Sequence, residues 1–239
     1  MKTMLASDLL TARGSLLQLL GICAVIGVIM CYAMETTIGG VAAIAAMCPF
    51  MYLFTVAALD EQNGWERFRL TLPISRRQVV FGRYASLLVV TLATTVVAFA
   101  VGAVISFAAG ALSDGQPDAR LTLMSFEFNP PALIFASTAL AALVILTACA
   151  VALPLIARFG MTKATRFVPL VFVMAIAAAV GFLGTDIPAL DIFITLELWT
   201  ETGNWGALAG AGAIVALAVL TLYMISAFVA AKLYEQREL

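Results

Sequence analysis

The hydrophobic residues of this chain are gathered into six uninterrupted runs: Leu16–Met34, Ile38–Leu59, Ser86–Ala111, Pro131–Ala157, Phe167–Leu183 and Trp205–Ala231. None of them holds an Asp, Glu, Lys or Arg. An α-helix needs about 20 apolar residues to cross the hydrocarbon core of a bilayer. A membrane-spanning strand needs only about ten, and it alternates lipid-facing with lumen-facing positions. The continuous runs therefore predict an all-α membrane protein, with six transmembrane helices in one domain over residues 1–239.

Ahead of the first run, Leu5, Leu9, Ala12 and Leu16 recur at steps of 4, 3 and 4, while Lys2, Asp8 and Arg13 fall off that stripe. This pattern predicts a short N-terminal helix lying in the membrane interface. No small-residue cleavage pattern follows Leu16–Met34 and the next run starts within four residues, so the first run reads as a span rather than a signal peptide.

Charge orients the spans. With the termini and the segments Asp60–Arg83 and Arg158–Arg166 on the cytoplasmic side, twelve of the thirteen basic residues are inside and only Arg120 is outside. Loops rich in Lys and Arg stay in the cytoplasm. The expected topology has both termini cytoplasmic, and an outer face carrying Glu35, Asp114, Asp118, Glu127, Asp186, Asp191, Glu197 and Glu201. In the last outer loop Leu190, Phe193, Leu196 and Trp199 keep helical spacing, which predicts an interfacial helix before the sixth span.

The cytoplasmic segment 60–83 is the most patterned of the polar stretches. Asn63 is a helix cap for a stretch that places Trp65, Phe68 and Leu72 on one face and Glu66, Arg67 and Arg69 on others. Pro73 ends it, and Ser75 with Gln78 forms a Ser-x-x-Gln capping box that starts a helix running through Arg83 into the third span. The same spacing also fits an amphipathic loop resting on lipid, with Arg76, Arg77 and Arg83 serving only to set topology.

Composition narrows the chemistry. The chain is 63% hydrophobic and 11% charged, against about 45–50% and 25% in soluble domains. Its net charge of −1 leaves no basic excess for nucleic acid. With no histidine, His-ligated metals and Ser-His or Cys-His catalysis are excluded. Cys23, Cys31, Cys48 and Cys149 lie inside apolar runs without a C-x-x-C motif and read as small packing residues. The spans offer only hydroxyls, among them Thr91, Thr94, Thr95, Ser106, Ser137, Thr138 and Thr147, whose default partner is a carbonyl of their own helix or a neighbour. Without ionisable groups in the spans, an ion-coupled carrier has nothing to couple through. The nearest approach to a phosphate-binding loop, Gly160-Met161-Thr162-Lys163, lacks the second glycine and the spacing. Any uphill transport must draw its energy from another chain. A membrane scaffold and a passive channel are the competing classes.

The stretch Asp60-Glu61-Gln62-Asn63-Gly64-Trp65-Glu66-Arg67-Phe68, followed by Leu72-Pro73-Ile74-Ser75-Arg76, resembles the loop of short six-span permeases in the type 2 class of ABC exporters. Within that class it is most similar to permeases of bacterial peptide exporters, such as those for phenol-soluble modulins. The resemblance implies a homodimer, or a dimer with a sister permease, in the bacterial cytoplasmic membrane. It also implies two cytoplasmic ABC ATPase subunits that bind the ATP and magnesium, while this chain holds no cofactor or metal. Carried onto this sequence, the coupling element is Asn63–Leu72, with Trp65 and Phe68 as apolar anchors and Glu66 and Arg67 as polar partners. The second cytoplasmic contact is Arg158, Lys163 and Arg166. Small residues in the sixth span, Gly206/Gly210 and Ala209/Ala213, fit close helix approach within or between copies. The implied cargo is an amphipathic peptide, in keeping with spans that offer apolar contact and no charge.

Overall fold

A computed structural model describes residues 2–62, 75–113, 119–160 and 205–236, and every element among them is a helix. They are α1 (Lys2–Ala33), α2 (Thr37–Gln62), α3 (Arg76–Ser113), α4 (Ala119–Met124), α5 (Pro131–Phe159) and α6 (Trp205–Glu235). All but α4 are long and apolar enough to cross a membrane. The expected fifth span Phe167–Leu183, the stripe Leu190–Trp199 and the coupling element Asn63–Leu72 lie outside the described residues.

The structure corrects one expectation. The N-terminal interfacial helix is not a separate element, because α1 runs unbroken from Lys2 to Ala33. At about 1.5 Å per residue it is about 48 Å long, well beyond a hydrocarbon core of about 30 Å. No proline interrupts it. The apolar stripe is real but faces protein: Ala12 is fully buried, and Leu9 and Leu16 pack against the main core beside it. A stripe that packs on a neighbouring helix and one that rests on lipid have the same period, so spacing did not separate them.

Local chemistry explains the other helix ends. Glu35 takes a left-handed backbone (φ 56°) after α1, and the Thr36 amide donates to the Cys31 carbonyl at 3.2 Å. This is the Schellman closure that returns the chain into α2 over three residues. The capping box appears as written in the sequence: the Ser75 amide donates to Gln78 Oε1 and the Gln78 amide to Ser75 Oγ, each at 3.3 Å. Proline at the first position of α5 costs no hydrogen bond. Gly160 ends that helix at φ 75°, its amide donating to the Ile156 carbonyl at 2.9 Å.

The long helices alternate in direction from α1 to α3, and α5 and α6 run parallel to each other. One end of the bundle thus collects the start of α1, the end of α2, the start of α3 and the ends of α5 and α6. Close contact depends on missing side chains. A Cβ on Gly40 would collide with Cys31 Sγ and the Gly27 carbonyl, and one on Gly102 would sit 2.6 Å from Val41 Cγ1 and 2.9 Å from Ile134 Cγ2. Gly210 and Gly212, by contrast, meet nothing within 4 Å among the described residues.

The main core lies toward the end that holds residues 60 and 83. There Tyr52, Leu53 and Val56 of α2, Tyr84 and Leu87 of α3, Cys149 and Leu153 of α5, and Tyr223 and Ala227 of α6 pack together. Outward faces remain apolar, with Leu17, Val25, Val96, Phe107, Val144, Ile214 and Phe228 exposed. Such continuous apolar exposure suits hydrocarbon rather than water.

Candidate functional site

Of the predicted coupling residues, Asn63, Trp65, Glu66, Arg67, Phe68 and Leu72 lie outside the described residues, as do Lys163 and Arg166. Arg158 is described: it is exposed in the last turn of α5, its guanidinium carbon 5.6 Å from the Phe159 ring centroid. A cation in this position complements the carbonyl end of a helix. What the structure adds is the framework from which the 63–74 segment departs.

That framework is a charged cluster joining three helices. Arg83, two turns into α3, donates through Nη2 to Asp60 Oδ2 in the last turn of α2. Its Nε stands 3.9 Å from Asp8 Oδ2 on α1, within ion-pair range but beyond hydrogen-bond reach. Side-chain exposure falls from 16% at Asp60 and 15% at Arg83 to 1% at Asp8, so the cluster reaches from the rim of the bundle inward. Tyr52, two turns before Asp60 and 2% exposed, has a buried hydroxyl without a hydrogen bond among the described residues. A small open pocket lined by Ser7, Asp8, Thr11 and Asp60 leads to the cluster.

A second ion pair fastens the neighbouring helices. Arg77 meets Glu235 at the end of α6 with both nitrogens, Nε to Oε1 at 2.7 Å and Nη2 to Oε2 at 3.4 Å. Arg76 Nη1 donates to the Glu235 carbonyl at 3.1 Å. Arg76, Arg77 and Arg83 therefore each have a specific partner, which a role limited to topology does not require.

Deeper in the core, a hydroxyl network links α3, α5 and α6. Pro154 inside α5 has no amide hydrogen, which leaves the Ala150 carbonyl four residues earlier without its helical partner. Ser226 Oγ of α6 donates to that carbonyl. Tyr84 and Ser226 share a further hydrogen bond at 2.7 Å, and the Tyr223 hydroxyl donates to the Tyr84 carbonyl at 2.9 Å. In a membrane an orphaned carbonyl has no water to turn to, so a proline there needs a partner of this kind. The remaining span hydroxyls follow the expected rule. Thr91, Thr95 and Thr147 bond carbonyls four residues back, and Thr94, Ser137 and Thr138 carbonyls three back.

The opposite end is closed by neutral groups. Thr37, fully buried, donates to the Met124 carbonyl at 3.1 Å and accepts from Ser106 Oγ at 3.1 Å. Asn129 Nδ2 donates to the Leu123 carbonyl at 2.7 Å, while its Oδ1 accepts from Thr36 Oγ1 at 3.3 Å. These bonds dock α4, whose Met124 packs on Cys31 and Ala109. Arg120 pairs with Glu35 at 3.0 Å and lies 5.6 Å from the Tyr32 ring centroid.

Chemically, these groups fasten helices and provide no nucleophile paired with a base. All four cysteines are buried and unbridged. No group of three or more metal-ligating side chains occurs among the described residues. Sequence reasoning missed the Asp8–Arg83–Asp60 cluster because the three residues are dispersed along the chain. One signal was available: Asp8 is the one acid in the fifteen residues before the first apolar run, and a buried acid needs a cation. No curated protein matches this chain. A family model, described as ABC-2 family transporter protein, matches residues 3–235.

Proposed function

Since the chain belongs to the ABC-2 family of transporter proteins, a family of multi-pass membrane permeases, we propose that it is the permease subunit of an ATP-driven exporter of amphipathic peptides. The match over residues 3–235 supports the permease part of this reading, because it takes in every membrane helix described. A transport family also disfavours a scaffold. The chain works as a homodimer or beside a sister permease, with ATP and magnesium bound by a cytoplasmic ABC ATPase. Asn63–Leu72 docks on that ATPase through Trp65 and Phe68, assisted by Glu66 and Arg67. Arg158, Lys163 and Arg166 form a second contact. The ends of the bundle that hold Asp60, Arg83 and Glu235 face the cytoplasm of a bacterial cell.

The amphipathic cargo follows from the walls available to it. The ionisable groups described sit toward the helix ends, and the long middles offer apolar surface with hydroxyls already bonded to the backbone. A cargo held there gains from apolar contact, whereas a small polar solute loses its water with little in return.

The test is reconstitution of the permease with its ATPase in vesicles. Amphipathic helical peptides are expected to stimulate ATP hydrolysis, and short polar peptides of equal charge are not. Stimulation by a sugar or an ion alone would refute the cargo and leave the permease reading standing. Trp65→Ala is expected to leave membrane insertion intact and weaken ATPase capture, since truncating an interface anchor costs on the order of 2 kcal/mol. For orientation, cysteines at Gln62 and Lys163 are expected to resist an impermeant thiol reagent in intact cells while one at Gln116 labels.

A further inference from the structure

Residues 63–74 connect the end of α2 to the start of α3 in sequence. Asp60 in the last turn of α2 and Arg83 two turns into α3 are bonded directly. The guanidinium then reaches past the stems to Asp8, on the helix that begins the chain. We infer that Arg83 is a positioning residue which clasps the two stems of the docking segment to each other and to α1, so that displacement of the segment by an ATPase moves α1, α2 and α3 together. The inference rests on the reading of 63–72 as the docking element and adds to it the residue through which docking reaches the helices.

The two legs of the clasp differ. The leg to Asp60 is a charge-assisted hydrogen bond, the strong and directional kind. At 3.9 Å between Nε and Oδ2, the leg to Asp8 is an ion pair beyond hydrogen-bond reach and the weaker of the two. The buried hydroxyl of Tyr52, also without a hydrogen bond among the described residues, lies on the same face of α2 as Asp60 and is a ready donor for a carboxylate that shifts. Coupling between distant sites travels through contiguous ion pairs and packed helices of this kind. Stiffness alone would not need the third helix: Asp60 and Arg83 already close the loop. Asp8 is 1% exposed, so its carboxylate was removed from water to take part.

The experiment uses the full permease with its ATPase in vesicles and reads two quantities: ATPase retained on purification, and peptide exported per ATP hydrolysed. Arg83→Gln and Asp60→Asn are expected to retain the ATPase and lower export per ATP about tenfold. Asp8→Asn is expected to lower it less, and the swap Asp60→Arg with Arg83→Asp to recover most of it. If Arg83→Gln fails to fold, Asp60→Cys with Arg83→Cys replaces it: joined by a short bis-maleimide linker the pair keeps its ratio, and unlinked it loses it. Unchanged export per ATP in Arg83→Gln with the ATPase retained, or equal ratios in the linked and unlinked pair, would overturn the clasp and leave the docking reading intact. A wild-type permease that retains no ATPase would instead overturn the docking reading and the clasp with it.

Discussion

The two ends of the bundle are fastened by different chemistry. At one end Arg83, Asp60 and Asp8 join α1, α2 and α3, and Arg77 with Glu235 joins α3 to α6. At the other, the buried groups Thr37, Ser106 and Asn129, with Thr36, join α2, α3 and the α4 turn through neutral hydrogen bonds, and the one ion pair there among the described residues, Arg120 with Glu35, is exposed. Neutral bonds fall off steeply with distance and angle, so that end holds one geometry. Charges attract over several ångströms, so the ion-paired end tolerates movement without coming apart. The buried bonds thus differ in kind between the two ends, and residues 63–74, proposed to dock the ATPase, connect two helices at the ion-paired end.

The largest effect expected is on the charged side. Arg83→Gln takes the guanidinium away from Asp60 and the nearly inaccessible Asp8 and should cost about 3 kcal/mol in unfolding from detergent micelles, the low end for breaking a buried pair. Replacing all three groups, Asp8→Leu with Asp60→Leu and Arg83→Met, should cost less than the single change, because no charge is then left behind. A triple variant less stable than Arg83→Gln would mean that the cluster serves stability rather than movement.

Next comes the neutral end. Thr37→Val strands the Ser106 hydroxyl and the Met124 carbonyl and should cost about 1–2 kcal/mol. Hydrogen exchange of α4 amides should rise while export per ATP hydrolysed stays near the wild-type value. A loss of coupling as large as that of Arg83→Gln would erase the contrast between the ends. Ser226→Ala tests the region between them. It frees the carbonyl exposed by Pro154 and should cost about 1 kcal/mol, within the range of membrane interhelical hydrogen bonds; the double variant with Pro154→Ala, which restores the helical amide, should recover part of that loss. The smallest effect belongs to Arg77→Gln. Its partner Glu235 is solvated, and exposed pairs of this kind are worth little, so thermal stability should not change measurably at either low or high salt.

Much of the membrane architecture was legible in the sequence. Runs such as Pro131–Ala157 report helices because a backbone in hydrocarbon must satisfy its own amides and carbonyls, and Ser75 with Gln78 reports a helix start because both partners of the cap are four residues or fewer apart. The hydroxyls of Thr91, Thr95 and Thr147 were readable for the same reason, since their acceptors lie one turn back. The α4 helix was not, because its six residues Ala119–Met124 carry no strong periodicity and are held by Thr37 and Asn129 from elsewhere in the chain.

What the sequence alone determined were the properties that are local or compositional: apolar run length, helix caps and the absence of histidine. Only the tertiary structure decided which face of α1 is covered and which acids Arg83 meets. A stripe of Leu9, Ala12 and Leu16 has the same spacing against lipid as against a helix. Arg83 stands 23 residues from Asp60, and Asp8 lies on another helix altogether. No period connects such residues, and they meet only when apolar helices pack and leave their few charges no water to pair with.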